Sequence, residues 1–265
     1  MISPEHFIPG KDASLEQSIA TLRGRLRQLG FHLEERSWLN PVEGVWSVHV
    51  RDHDCALLFS NGKGASELAA RASALGEFAE RLSTHYFWTH FYLGEAIAHR
   101  AHVHAPGERW FPLNGDAWPE GLLNPELRAF YNPHDAVPAA QLVDLNSGNE
   151  ARGICALPYQ RLSDGATAYF PVNLIGNLYV SNGMSAGNTL MEARTQALSE
   201  IFERHIKFRI IEEGLCLPDV PEDVIARYPR IAAGIRGLRE AGFGILVKDA
   251  SLGGKYPVMN VTLLH

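Results

Sequence analysis

The sequence has no surplus of basic residues and no cluster of them. Its 265 residues include 24 Lys and Arg against 30 Asp and Glu, which gives a formal net charge of −6. A protein that binds nucleic acid usually carries a basic patch for the phosphate backbone. The charge therefore argues against nucleic acid as a partner, and any anionic ligand would need counter-ions of its own.

Long apolar runs and an N-terminal signal are also missing. No apolar stretch approaches the roughly 18 residues that a membrane span needs. The first residues, MISPEHFIPGKD, contain no basic region followed by an apolar one. We therefore expect no membrane segment and a cytoplasmic location.

Cysteine and clustered metal ligands are scarce. Cys55, Cys155 and Cys216 are widely separated, odd in number and surrounded by apolar residues. This pattern favours buried thiols over a disulfide framework or a Cys-x-x-Cys metal site. The three histidines at 99–104 have no carboxylate or cysteine at ligand spacing, so a solvated loop is favoured over a metal site.

The residues that are present indicate a globular protein of the α+β class. With 46% hydrophobic residues the chain can form one large core or two smaller ones. Ser14 and Gln17 have capping-box spacing, and the apolar periodicity that follows ends at Gly30, which predicts a helix. A second helix is predicted near 230–242. Strands are predicted at 31–38, 45–52, 55–61, 243–249 and 256–265, and the second of these alternates cleanly, as a half-buried antiparallel strand would.

One pattern, ALxExxER, occurs twice, as ALGEFAER at 74–81 and ALSEIFER at 197–204. Glu77 and Glu200 are 123 positions apart, as are Glu80 and Glu203. Each copy follows the tripeptide Ser-Asn-Gly and a strand-like run, CALLF or NLYV. This predicts two duplicated strand-turn-helix units, packed around a pseudo-two-fold axis with mixed or antiparallel sheets.

The repeat sets the predicted organisation of the chain. The first unit covers about 45–95 and the second about 168–213. Between them lies an irregular insertion at about 96–150, which is rich in Pro, Gly, Asn and His. A helix and strands at 230–265 complete the chain.

A glutamate followed four residues later by arginine is commonly a surface ion pair worth a few tenths of a kcal/mol. The neighbouring residues argue for more. Ser73, Glu77 and Glu80 lie within roughly 60° on a helix. Their neighbours there are small: Ser66, Ala69, Ala70 and Gly76. Because a solvated face is usually filled with long polar side chains, we expect something to approach this helix backbone closely.

If the two helices face each other, four carboxylates converge and need cations to stay ionised. Oxygen ligands without His or Cys favour Mg²⁺, whereas dinuclear iron bundles use Glu-x-x-His. Because Mg²⁺ usually combines carboxylates with substrate phosphates, MgATP is the expected ligand, with Arg81 and Arg204 near its phosphates. The P-loop motif is absent, but the glycine-rich turns before both helices offer N–H donors.

Together these motifs resemble the ATP-binding signature of the YcaO family. They read SxxxExxER (Ser73, Glu77, Glu80, Arg81) and ExxxQxxxExxER (Glu192, Gln196, Glu200, Glu203, Arg204). The likeness to stand-alone bacterial members extends over essentially the whole chain, through FIPGKDASLE, RGICALP and NLIGNLYVSNGMSAGNT. It implies that the four repeated glutamates, Glu77, Glu80, Glu200 and Glu203, hold Mg²⁺ ions that bridge the ATP phosphates. It also implies a set of nucleotide contacts: Lys11, Ser73 and Arg204 at phosphates, and Asn188, Glu192 and Gln196 nearby.

The resemblance further implies ATP-dependent activation of a peptide amide. A nucleophile adds to the carbonyl, the oxyanion takes the γ-phosphoryl group, and phosphate then leaves. In stand-alone members the implied setting is β-methylthiolation of an aspartate in a small-subunit ribosomal protein, as an accessory to a radical methylthiotransferase. The alternative is a non-catalytic accessory protein that binds a partner and has a vestigial or incomplete nucleotide site.

The C-terminal residues bear on the choice between an amide-activating enzyme and a non-catalytic accessory protein. Family members continue with a strand and a helix that supply another Arg and Glu to the ATP site, whereas this sequence stops at His265 within an apolar strand-like run. We therefore expect a truncated chain that is not a competent catalyst. An apolar strand edge there would also favour pairing with another copy, so a homodimer is expected.

Overall fold

The computed structural model describes residues 5–87, 94–177 and 181–264. The chain divides into two compact units, one formed by Met1–Glu80 with Asn182–His265 and the other by Arg81–Ser181. Both units combine helices with small antiparallel sheets. The α+β class predicted from the sequence is confirmed, whereas the pseudo-two-fold axis and the boundaries of the repeat units stay predictions.

Helices and strands are intermixed along the described part of the chain. The helices are α1 (Leu15–Gln28), α2 (Glu67–Ser83), α3 (Glu95–Ala98), α4 (Pro125–Tyr131), α5 (Val172–Asn177), α6 (Leu190–Glu212), α7 (Glu222–Ala226) and α8 (Pro229–Glu240). The strands are β1 (Leu33–Val42), β2 (Val45–Asp52), β3 (Phe59–Gly64), β4 (Arg109–Phe111), β5 (Ile154–Gln160), β6 (Thr167–Pro171), β7 (Gly244–Asp249) and β8 (Met259–Leu264). No helix within the described ranges has both the length and the apolar character that a membrane crossing requires.

Helix α1 forms as the capping pattern predicts. The Gln17 backbone N–H donates to the Ser14 hydroxyl at 3.2 Å, which satisfies one of the N–H groups that a helix start leaves without a partner. The helix ends at Gln28, and Gly30 follows with φ +94°. Ser14 is completely buried, so the entry to α1 is anchored in the first unit.

The sheet of strands β1–β2–β3 supports helix α2 in the first unit. Strand β2 alternates as predicted, and its Val48 and Val50 are almost completely buried against Ala70 and Ala74 of α2. The small residues of α2 therefore allow a close approach, as expected. At Ala70 and Ala74 the approaching group is strand β3 of the same unit, since a Cβ added to Gly62 would collide with both of these alanines.

Strand β3 differs from the prediction in its position. The apolar run at 55–58 lies before the strand, which begins at Phe59 and continues through the glycine-rich sequence predicted as a turn. The physical reason is the contact with α2. Where β3 touches the helix backbone, only glycine fits, because a side chain there would collide with α2. Periodicity alone could not reveal that contact.

In the second copy, a short helix lies between the last strand and the residues that precede α6. Strand β6 ends at Pro171, and the following residues form the short helix α5. The predicted strand-like run NLYV begins at the last residue of that helix, and its remaining residues, 178–180, lie outside the described part of the chain. The tripeptide Ser-Asn-Gly is thus in a strand in the first copy and in an irregular segment at 181–183 in the second.

One local contact is nevertheless the same in both copies. A Cβ added to Gly64 would lie 2.6 Å from the backbone nitrogen of Ala70, and one added to Gly187 would lie 2.5 Å from that of Ala193. Both pairs have the 123-residue offset of the glutamates. The close approach of a glycine to the first turns of the helix is therefore a shared feature of the repeat.

The second unit is built around the sheet of strands β4–β5–β6. Its core contains Phe111, Trp118, Leu122 and Ile154. Only short elements occur between residues 100 and 150: β4 has three residues and α4 has seven. Although this region has no long periodic pattern, it therefore contributes apolar residues to a core.

The predicted solvated loop at 99–104 is wrong for His104. The His104 side chain is completely buried, and its Nε2 lies 3.1 Å from Asp144 Oδ2. The backbone N–H groups of residues 103–105 donate to the Glu108 carboxylate at 2.7–3.1 Å, which turns the segment inward. Although burial of Glu108 acts to raise its pKa, these hydrogen bonds hold that pKa below its ordinary value.

The prediction of buried cysteines holds in part. Cys155 is buried and Cys55 half-buried, but Cys216 is exposed in the segment after α6. All three are free thiols. At the C-terminal end, α8 and the antiparallel pair β7–β8 lie where the sequence predicts a helix and two strands.

Candidate functional site

Residue Glu192, in the first turn of α6, is the centre of a polar network with the N-terminal arm, residues 5–13. Glu192 is only 8% exposed. Its Oε1 lies 3.0 Å from the Lys11 ammonium, while its Oε2 accepts hydrogen bonds from the Asp12 N–H at 3.3 Å and from the Asn188 side chain at 3.0 Å. Three predicted nucleotide-binding residues, Lys11, Asn188 and Glu192, are therefore in contact.

The start of α6 explains why this network forms. Thr189 is the N-cap, and its hydroxyl accepts the Glu192 backbone N–H at 3.2 Å. The same hydroxyl donates to Asp12 of the arm. Ser18 of α1 donates to the Asn188 side-chain oxygen at 2.8 Å. The cap of α6 thus fixes both the arm and α1 against the helix start.

The network keeps Glu192 ionised. Burial raises its pKa, but hydrogen bonds from Lys11, Asn188 and the Asp12 N–H outweigh this effect, so the pKa is below its ordinary value of 4.5. Glu192 is therefore negatively charged at neutral pH and lies beside the positively charged Lys11. The Lys11 side chain is still 37% exposed, which leaves its ammonium accessible to a ligand.

A small cavity lies between the arm and α6. Its volume is about 130 Å³, and it is lined by Gly10, Lys11, Asp12, Met191, Glu192, Thr195 and Gln196. Sites for drug-sized ligands usually measure roughly 300–1,000 Å³. The cavity in this structure could therefore enclose only a part of a nucleotide.

The other predicted residues of α6 continue from the cavity along one helix face. Gln196 donates to Glu200 Oε1 at 3.3 Å, and Glu200 Oε2 accepts the Gly183 N–H at 3.2 Å. Glu203 is 60% exposed, and the Arg204 Nε lies 4.0 Å from it. Arg204 is therefore within ion-pair distance of the adjacent glutamate.

On α2, Ser73 is exposed, whereas Glu77 and Glu80 are partly buried. The Arg81 guanidinium lies over the Tyr86 ring, 4.5 Å from its centroid. Within the described residues, no three His, Cys, Asp or Glu side chains are close enough together to hold a metal ion. The four glutamates are thus not gathered into one group in this structure, and their role as metal ligands stays a prediction.

Sequence reasoning missed the residues that connect the arm to α6, namely Asp12, Ser18 and Thr189. A signal for one of them was present, because Thr189 and Glu192 have the spacing of a capping box. That spacing places Thr189 at the start of α6. No local pattern predicts that Asp12, 177 positions earlier, is its partner.

Comparison with known proteins identifies the class of protein to which this fold belongs. The family model described as a YcaO cyclodehydratase that binds ATP and Mg²⁺ matches residues 61–265. The chain belongs to the YcaO family. The solved structure of a heterocyclase in complex with substrate and cofactor has the same fold, with a TM-score of 0.56 and 18% identity over 95% of this chain and 35% of that one.

Individual relatives are much closer in sequence. The chain is 60% identical over 260 residues to the ribosomal protein S12 methylthiotransferase accessory factor YcaO of Escherichia coli, which covers 98% of this chain and 44% of that protein. It is 57% identical over 265 residues to an uncharacterized protein of Haemophilus influenzae, covering 100% of this chain and 45% of the relative. The chain thus spans less than half the length of these relatives.

Proposed function

We propose that this chain binds ATP and Mg²⁺ and serves the ATP-dependent activation of a peptide amide by O-phosphorylation. The observation that carries the proposal is the polar row on α6, which consists of Glu192, Gln196, Glu200 and Glu203. These residues lie within roughly 80° of one another on the helix, and the row begins at the Lys11 cavity. A row of carboxylates beside an accessible ammonium suits a polyphosphate with its metal ions.

The side chains fit Mg²⁺ in their chemistry. Mg²⁺ in nucleotide sites usually takes one or two protein carboxylates and completes its coordination with phosphate oxygens and waters. Glu200 and Glu203 offer one such pair and Glu77 and Glu80 another, so neither ion would need a group of three protein ligands. When bound, the ions would neutralise the charge that develops on the transferred phosphoryl group.

The remaining residues would position the nucleotide. Lys11, Ser73 and Arg204 would contact phosphates, while Asn188, Glu192 and Gln196 would hold the part of the ligand in the small cavity. In the reaction, a nucleophile adds to the amide carbonyl, the resulting oxyanion attacks the γ-phosphorus with loss of ADP, and phosphate then leaves. Positioning and charge neutralisation supply most of the catalysis in such a transfer.

The proposed setting is the cytoplasmic β-methylthiolation of a small-subunit ribosomal protein, together with a radical methylthiotransferase. Support comes from the 60% identity to the accessory factor of Escherichia coli. The proposed assembly is a homodimer, because Met259, Val261 and Leu263 of β8 are 53–61% exposed. An apolar edge strand of this kind tends to pair.

The test is calorimetric titration of the chain with MgATP. The Glu200→Gln variant should bind MgATP at least tenfold more weakly, because it removes a charged ion ligand while keeping the shape of the side chain. Glu213→Gln is the matched control, since Glu213 lies just beyond the same helix and pairs with Arg209. Unchanged affinity in Glu200→Gln would refute the metal-ligand role.

A second function is favoured by the small size of the cavity and by the relative's name as an accessory factor. In this alternative the chain binds a partner protein without turning over ATP. Phosphate release in the presence of the ribosomal protein would support the enzyme. Tight binding of the methylthiotransferase without phosphate release would support the accessory role.

A further inference from the structure

The N-terminal arm, residues 5–13, forms one wall of the small cavity at α6. It contributes Gly10, Lys11 and Asp12 to the lining. All of the arm before Ala13 is exposed, its apolar residues included. Because exposed residues gain little from apolar burial, the position of the arm depends on its polar contacts.

Polar contacts hold the arm at both of its ends. Near the start, the His6 N–H donates to Glu16 Oε2 at 3.0 Å, which fixes this end to α1. At the other end, the Asp12 N–H donates to Glu192 Oε2 at 3.3 Å, and the Asp12 carboxylate accepts the Thr189 hydroxyl. The Asp12 end therefore joins the arm to α6.

Asp12, Thr189 and Glu192 form a closed ring of three hydrogen bonds. The Thr189 hydroxyl accepts the Glu192 N–H at 3.2 Å. Because a carboxylate can only accept, the single proton of that hydroxyl goes to Asp12. Since the bonds of the ring share their groups, loss of the Asp12 carboxylate should also loosen the contact between Glu192 and Lys11.

The cap of α6 does not itself require Asp12. In the first copy of the repeat, Ser66 corresponds to Thr189 at the offset of 123 residues, and its hydroxyl accepts the Ala69 N–H at 3.2 Å. The same bond from a backbone N–H to a hydroxyl therefore forms at the start of both helices. The additional bond from Thr189 to Asp12 is a tertiary contact, so its role lies outside helix capping.

The negative charge of Asp12 is unfavourable for the ligand that the proposed function assigns to its neighbour Lys11. A carboxylate next to a phosphate-binding lysine repels the phosphates and weakens their binding. At the start of α6, in contrast, the charge is favourable, because the N-terminal end of a helix stabilises an anion. Asp12 is thus better suited to fix the arm than to bind the ligand.

We propose that Asp12 is a positioning residue of the proposed nucleotide site. Its carboxylate holds the arm to α6 through Thr189, and this attachment keeps the Lys11 ammonium at the cavity, where it can contact a phosphate. Asp12 itself touches neither phosphate nor metal ion. The inference rests on the proposed function, because Lys11 has this role only if the chain binds a nucleotide. The attachment of the arm, however, can be measured without one.

The first experiment measures hydrogen exchange of the arm by mass spectrometry in the chain without nucleotide. Asp12→Ala and Thr189→Val should each make residues 5–13 exchange about tenfold faster, and the double variant should add little, since both changes break one contact. Thr189→Ser keeps the hydroxyl and should exchange like the wild type. Ser66→Ala is the control for loss of a helix cap, and it should leave the arm unchanged. Unchanged exchange in Asp12→Ala would overturn the inference.

The second experiment is calorimetric titration with MgATP. Asp12→Ala should weaken binding about tenfold, as expected when a charge-assisted hydrogen bond is lost. Asp12→Asn should bind MgATP as tightly as the wild type or more tightly, because its amide oxygen still accepts the Thr189 hydroxyl and the repulsion is removed. Asp164→Ala is the control, since Asp164 is an exposed carboxylate paired with Arg161 in the second unit.

Each contrary result has a distinct meaning. If Asp12→Asn weakens MgATP binding as strongly as Asp12→Ala, the charge contacts the metal ion of the ligand, and the positioning role is overturned. If Asp12→Ala binds MgATP like the wild type, the inference fails while the proposed function stands. If the wild type does not bind MgATP, the proposed function fails, and the hydrogen exchange alone supports or overturns the attachment of the arm through Asp12.

Discussion

Helices α2 and α6 contain the same ALxExxER pattern but stand in opposite environments. Leu75 and Phe78 of α2 are at most 1% exposed, whereas the corresponding Leu198 and Ile201 of α6 are about half exposed. The β1–β3 sheet packs against α2 through Val48 and Val50, and no sheet of the described residues covers α6 in this way. A repeated sequence therefore repeats a helix without repeating what the helix packs against.

Among the repeated glutamates, only one pair differs in this way. Glu77, Glu80 and Glu200 are partly buried, while Glu203 of α6 is 60% exposed. What α6 has instead is an anchor at its start, where Glu192 binds Lys11. The corresponding residue of α2 is Ala69, so this anchor is specific to the second copy.

The largest expected difference concerns the apolar positions. Phe78→Ala should lower the free energy of unfolding by about 3–5 kcal/mol, because it leaves a cavity in a packed core. Ile201→Ala should change it by no more than about 0.5 kcal/mol, as surface substitutions usually do. Urea unfolding at concentrations where the chain is monomeric measures both. Equal losses would show that α6 is packed in solution as α2 is.

The two glycine contacts should behave alike. We expect Gly64→Ala and Gly187→Ala each to lower the free energy of unfolding by about 1–3 kcal/mol, since the added methyl group meets the helix backbone in both copies. Gly24→Ala in α1 is the control. No atom lies near its added Cβ, and alanine there should stabilise the helix by up to about 1 kcal/mol. A Gly187→Ala variant with an unchanged free energy of unfolding would contradict the shared contact.

The affinity for MgATP allows the carboxylates of α2 and α6 to be compared directly. If both helices hold ions at one nucleotide, Glu77→Gln and Glu200→Gln should each weaken MgATP binding by tenfold or more, about 1.4 kcal/mol. Calorimetric titration of the two variants measures this directly. Loss in Glu200→Gln alone would restrict the ion site to α6, and no loss in either variant would remove the carboxylates from the site.

The smallest expected effect is at the anchor of α6. Glu192→Gln should lower the free energy of unfolding by about 1 kcal/mol at pH 7, a modest value because Lys11 is partly exposed. Because the pKa of folded Glu192 is depressed, its contribution is present above the ordinary pKa of 4.5 and is lost as the pH falls towards the folded pKa. The difference between wild type and variant in urea unfolding should therefore shrink below pH 4.5. A difference that grows on acidification would contradict the ion pair.

Several features of the fold could be predicted because they are local. The start of α1 follows from Ser14 and Gln17, and the alternation of β2 follows from Val48 and Val50. The position of β3 could not be predicted, since its glycines are explained only by a helix that begins several residues later. The candidate site divides in the same way. The polar row of α6 is visible as a helical period, but the contact of Lys11 with Glu192 joins residues 181 positions apart.

By itself the sequence determined the two repeated helices, their register and the chemical type of their polar side chains, because helical period and capping act over a few residues. Only the tertiary structure decided which side of each helix is covered, that the arm closes over the start of α6, and that His104 turns inward to Asp144. Burial and ion pairing depend on neighbours that are distant along the chain. Two copies of one pattern can therefore have the same local structure and different surroundings.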